Sequence, residues 1–104
     1  MDITLPDGCG NSPRMALVAD FVRAWASGED LDQWLREDAT WTVHGVTGTG
    51  SAQTLTVHSI ITHGRLASCD GELDDLLFSH VLRFASTAKT AKIVEIRSYH
   101  VPRD

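Results

Sequence analysis

Basic residues are scarce in this chain. Nine Lys and Arg stand against fourteen Asp and Glu, so the formal net charge is -5. The basic side chains are scattered from Arg14 to Arg103 rather than clustered, which argues against a nucleic-acid surface. Apolar residues never run long enough to span a bilayer as a helix. The first residues, Met1-Asp-Ile-Thr-Leu-Pro-Asp-Gly8, have neither the basic start nor the apolar stretch of an export signal, so a cytoplasmic location is expected. Cysteine is limited to Cys9 and Cys69, with no CxxC or Cys/His spacing, so free thiols are expected and no metal or other cofactor is implied. Catalytic signatures are missing too. The Gly-rich segment Gly45 to Ala52 has no Lys-Ser/Thr and no helix after it, so it reads as a loop and not a phosphate cradle. No Gly-x-Ser-x-Gly is present, and nothing in the sequence activates Cys69 as a nucleophile.

What is present is one domain's worth of core. A hydrophobic content of 42% over 104 residues suffices for a single fold without staples. Residues 1–11 carry Pro6, Gly8 and Gly10 without apolar periodicity and read as a flexible N-terminal arm, with the domain itself spanning 12–104. A helix follows. Asn11 or Ser12 caps it, Pro13 suits its first position, and Leu17, Val18, Phe21, Val22 and Trp25 repeat at helical spacing. Ser27-Gly28 ends it. A second, shorter helix is expected from Asp30 to about Glu37, with Leu31, Trp34 and Leu35 as its apolar face.

The remainder alternates as strands do. Thr40 to His44 puts Trp41 and Val43 on one face. Leu55-Thr-Val-His-Ser-Ile-Ile-Thr-His-Gly64 is the most strand-like stretch, rich in β-branched residues. A turn at His63-Gly64 returns it as Arg65 to Leu73, with Asp70-Gly71 as another turn candidate. Leu76 to Ala85 and Ala91 to Val101 complete the set. In the penultimate strand Phe78, His80, Leu82 and Phe84 share a face. In the last, Val94, Ile96, Ser98 and His100 oppose Ile93, Glu95, Arg97 and Tyr99. Apolar groups on both faces of that strand point to a second subunit on one of them. Helices followed by an antiparallel sheet make an α+β fold.

This order resembles the nuclear transport factor 2-like superfamily, and within it the SnoaL-like proteins related to polyketide cyclases and ketosteroid isomerase. The residues that carry the resemblance are Ala19-Asp-Phe-Val-Arg-Ala-Trp-Ala-Ser-Gly28, Asp38-Ala-Thr-Trp-Thr-Val43, Phe78-Ser-His-Val-Leu-Arg-Phe84 and Lys92-Ile-Val-Glu-Ile-Arg-Ser-Tyr99. The resemblance implies a curved, mixed or antiparallel sheet wrapped around the N-terminal helices as a cystatin-like cone. It also implies an apolar pocket at the open end and a homodimer through the outer face of the sheet. Gly45 to Gln53 is too short for the family's third helix, so that helix is expected to be shortened or missing. The fold alone does not assign an activity.

Each chemistry of that family is tested against the residues. For ketosteroid isomerase, the resemblance places Val43 at the base, Phe21 at the tyrosine and His80 at the second acid, so its catalytic set is not intact. For limonene epoxide hydrolysis, Asp38, Arg83 and Arg97 are the candidates. Strand alternation turns Arg83 away from His80, and the set does not assemble. Dehydration by pocket histidines has material in His44, His58, His63, His80 and His100. The expected pocket is lined by Phe21, Trp25, Trp41, Val43, His58, His80 and Leu82, with His80 as the candidate catalytic group. The competing structural reading makes one histidine a satisfied core group and the tryptophans core filler. His58 and His63 fall on opposite faces of a regular strand, so they cannot ligate one ion. The reading of the whole is a domain that binds a small apolar molecule. The alternatives are a dimeric interaction or structural module without catalysis, and an isomerase or dehydratase using histidine acid/base chemistry. Convergence of His58 and His80 with Trp41 favours the pocket; an interior filled by Leu17, Phe21, Trp25, Leu82 and Phe84 favours the module.

Overall fold

The computed structural model describes residues 1–8, 10–46 and 52–103. The expectations for Cys9, and for the centre of the Gly-rich segment where a shortened or missing third helix is expected, lie outside the described residues.

Among the described residues one helix and six strands make up an α+β arrangement with an open mixed sheet. Helix α1 runs Pro13–Ser27. The Ser12 hydroxyl accepts the Met15 N–H at 3.1 Å, Pro13 opens the first turn, and Gly28 ends it in the left-handed conformation at φ 73°. Strands follow as β1 (Asp2–Thr4), β2 (Leu35–Gly45), β3 (Thr54–His63), β4 (Leu66–Leu73), β5 (Leu76–Phe84) and β6 (Ile93–Pro102). Their order across the sheet is β1-β3-β4-β5-β6-β2. The middle strands are antiparallel, while β1 and β2 pair in parallel with β3 and β6 at the two edges.

The second helix does not form. Asp30 does cap a turn, accepting the Asp32 N–H at 2.9 Å, and Leu31 accepts from Trp34 and Leu35. The chain then leaves the turn, because the Trp34 carbonyl accepts the Ile93 N–H at 2.8 Å and Leu35 enters the sheet beside Ile93. Pairing with β6 outweighs a single amphipathic turn, which is too short to hold itself together. Leu31, Trp34 and Leu35 still pack against the core, so the apolar spacing was informative about burial and not about conformation. The arm expected to be free of structure also departs from expectation. Asp2 to Thr4 pair with Thr54 to Thr56, and Pro6, lacking an N–H, limits how far that pairing extends.

The face toward α1 holds the core. Val18, Phe21, Val22, Leu55, Leu82, Phe84 and Ile93 are fully enclosed. Gly71 marks a tight place in it. A Cβ there would lie 2.0 Å from the Thr56 carbonyl oxygen and 2.9 Å from the Val57 Cα, both backbone atoms that cannot swing aside. Asp70-Gly71 is therefore mid-strand; the actual turn is Asp74-Asp75, where Asp74 adopts φ 53° and its carboxylate accepts the Gln53 and Thr54 N–H groups. Gly71→Ala is expected to cost about 2–3 kcal/mol of stability by forcing β3 and β4 apart. Urea unfolding checks this, and an unchanged midpoint would contradict it.

A buried histidine cluster as the candidate functional site

The opposite sides of the sheet follow from the register. On the inner face Ile60, Cys69, His80, Ser98 and Val43 form one lateral row. Thr62, Ala67, Leu82, Ile96 and Trp41 form the next. His80 thus sits near the middle of the sheet beneath α1, and it is 0% exposed. Phe21, Trp25, Trp41, Phe78 and His100 surround its ring. The Trp25 indole stands perpendicular to it at 4.3 Å between centroids.

A chain of hydrogen bonds explains how a polar ring is tolerated there. Trp41 Nε1–H donates to Ser98 Oγ at 2.8 Å. Ser98 Oγ lies 2.6 Å from His80 Nδ1, a hydrogen bond that either partner can donate according to the His80 tautomer. His80 Nε2 is buried and meets aromatic surface, with no polar partner among the described residues. Burial first, and the neighbouring His100 second, push the His80 pKa down to about 3. His80 is therefore a neutral imidazole at physiological pH. His100 is also buried. Its Nδ1–H donates to the Val46 carbonyl at 3.0 Å, leaving Nε2 as a bare acceptor without a partner among the described residues. Cys69, beside His80 in the row, is a free thiol whose pKa burial and then the Asp70 charge push up to about 12, so it stays protonated and unreactive.

Five of the residues expected to line a pocket do come together: Phe21, Trp25, Trp41, His80 and Leu82. They fill the interior, Phe21, His80 and Leu82 being completely enclosed. Val43 shares their face but lies at the rim, 40% exposed. His58 does not belong to the set. Strand β3 carries a bulge: Val57 pairs with Gly71 and Ser59 with Asp70, so His58 is an extra residue with no partner of its own. The bulge turns His58 and Ser59 to the same outer side and shifts the alternation beyond it. His63 consequently faces outward as well, and the two histidines share a face rather than dividing between faces. A similar slip in β6, between the Phe84–Ile93 and Arg83–Glu95 pairs, brings Ile93 inward with Ile96, Ser98 and His100.

On the outer face His58 Nε2 is 2.8 Å from Glu72, and Asp70 lies 3.8 Å from its other nitrogen. Ser59 Oγ donates to Asp70. Because the two carboxylates address different ring nitrogens, the group does not converge on one point. Among the described residues no set of three or more His, Cys, Asp or Glu is placed to hold a metal ion. The hydrolase-type candidates stay apart also. Asp38 is held by Arg36 at 2.7 Å, and that hydrogen bond lowers its pKa, while Arg83 and Arg97 both bind Glu95. His44 stacks on Tyr99 at 5.0 Å, again on the outer side.

Ser98 and His100 are the cluster members that the expected pocket omitted. Their signal was visible: polar residues at the inward positions of the pattern Ile96-x-Ser98-x-His100, where an apolar strand has no use for them unless they find hydrogen-bond partners inside. Among the described residues no helix is long and apolar enough to cross a membrane. Compared with protein-family models, with curated proteins and with solved structures, the chain matches none.

Proposed function

We propose that this chain is a non-catalytic interaction module that forms a homodimer through the outer face of its sheet, on a nuclear transport factor 2-like, SnoaL-like fold. The observation that carries the reading is the division of labour between the two faces. The inner face is consumed by packing: His80 and Ser98, the polar groups of its central row, are enclosed, and His80 is neutral, with no exposed surface from which to exchange protons with a substrate. The outer face has no helix over it among the described residues. It displays Leu77, Tyr99 and Val101 beside paired charges, and Leu77 and Val101 are direct cross-strand neighbours. Apolar groups between polar ones suit a protein interface more than a solvated sheet. The helix-then-strand order and the mixed sheet support the fold-family reading.

Light scattering tests this. The wild-type chain is expected at twice the mass of one 11.4 kDa chain at micromolar concentration. The double variant Leu77→Glu/Val101→Glu is expected at the single-chain mass with unchanged circular dichroism. A wild-type monomer would overturn the reading.

One observation favours a second reading, binding of a small, mainly apolar molecule. The bare Nε2 of His100 lies on the inner face near the exposed rim residues Val43 and Val46. A hydroxyl on such a ligand would donate to it. A co-purified small molecule lost on His100→Phe substitution would support this reading; its retention would not.

A further inference from the structure

The outer face also sorts its charges, and from this the geometry points to a definite register for the homodimer. This inference rests on the outer-face reading above. Asp70 and Glu72 occupy the lower half of β4, and Asp74 and Asp75 follow in the turn to β5. Glu72, Asp74 and Asp75, with Arg103 and two threonines, line a groove of about 490 Å³. Arg103 binds Glu72 at 3.0 Å and leaves this corner acidic. The opposite corner holds Arg83 on β5 and Arg97 on β6, two guanidiniums that share the single carboxylate of Glu95 at 2.9 and 3.2 Å. In the lateral rows between the corners the β5 residues are neutral, Ser79 and Val81.

By strand spacing the two corners lie roughly 20 Å apart, with Ser79 near their midpoint. A two-fold axis lying between two such faces, passing over Ser79 and running perpendicular to the line that joins the corners, carries the acidic groove of each copy onto the Arg83/Arg97 corner of the other. The pairing occurs twice per dimer, as two-fold symmetry requires. Any register that sets acidic groove on acidic groove opposes like charges in a chain that is already -5, so the same charges that favour one register disfavour the alternatives. The side chains suit such a contact, since the groove is concave and arginine is the long, forked partner for carboxylates.

Charge reversal tests the register. Glu72→Lys and Arg97→Glu are each expected to weaken dimerisation roughly tenfold or more, because each then opposes like charges at both symmetric contacts. An equimolar mixture of the two variants is expected to form heterodimers near wild-type affinity, since both contacts in the mixed dimer are again opposite in sign. The combined Glu72→Lys/Arg97→Glu chain is expected to recover as a homodimer. Asp75→Lys, in the exposed turn, repeats the acidic-side test if Glu72→Lys alters the circular dichroism. Wild-type dimers that both single variants leave intact, or single variants weakened without recovery on mixing, would overturn the register and leave the module reading standing. A wild-type chain that is monomeric throughout would remove both.

Discussion

Acidification from pH 7 to pH 4 is expected to remove on the order of 3 kcal/mol of folding stability through His80 alone. The group is neutral in the folded chain, with its pKa down at about 3, and titrates near its ordinary value of 6.5 when unfolded. The unfolded state therefore binds the extra proton first. Stability from this site is complete above pH 6.5 and is lost as pH falls toward 3, at about 1.4 kcal/mol per pH unit. His80→Gln keeps a polar group within reach of Ser98 but does not titrate. It is expected to be less stable than wild type at pH 7 and to lose less stability on acidification. Urea unfolding of both chains at several pH values between 4 and 7 measures the difference. Parallel curves for the two proteins would show that His80 is not buried as a neutral ring.

Phe21→Ala is expected to cost about 3–5 kcal/mol, the largest effect of any single truncation considered for this fold. Phe21 is fully enclosed and touches three aromatic partners: Trp34 at 6.0 Å, Trp41 at 5.9 Å and His80 at 6.5 Å between centroids. It links the helix to both the turn before β2 and the polar chain at Ser98. Its removal leaves an apolar void between elements that sheet hydrogen bonding prevents from collapsing. A loss under about 1 kcal/mol by urea unfolding would mean that the interior is loosely filled, as a ligand pocket would be, and would favour the second functional reading.

Much of this architecture was legible in the residues, and the exceptions have specific causes. Helix α1 was readable from its cap, its proline and its glycine because all three act locally. Strand β3 was readable because nothing in Leu55 to His63 suits a helix better. The inward placement of His80 followed from alternation with Phe78, Leu82 and Phe84, and that alternation is unbroken in β5. Alternation failed where a bulge intervened. One extra residue at His58 reverses the phase of β3, next to the close approach of Gly71 on the neighbouring strand, which periodicity within β3 does not register. The segment from Leu31 to Leu35 failed for a related reason. Its apolar spacing suits a helix, but its conformation is decided by Ile93, distant in sequence and adjacent in space. The turn at Asp74-Asp75 was missed because Asp70-Gly71 is the stronger local turn signal. Gly71 is instead required by the close approach of the Thr56 carbonyl.

With His58 turned outward and bound to Glu72, only His80 and His100 remain inside, and the interior is packed around them. The outer face gains what the inner face loses: His58, His63, His44 and the sorted charges all lie on it.

A native mass spectrum of the freshly purified chain tests the central claim, a filled interior and a self-associating outer face, most directly. The account predicts a dominant species of two 11.4 kDa chains with no additional mass. A single chain carrying the mass of a bound organic molecule would contradict it.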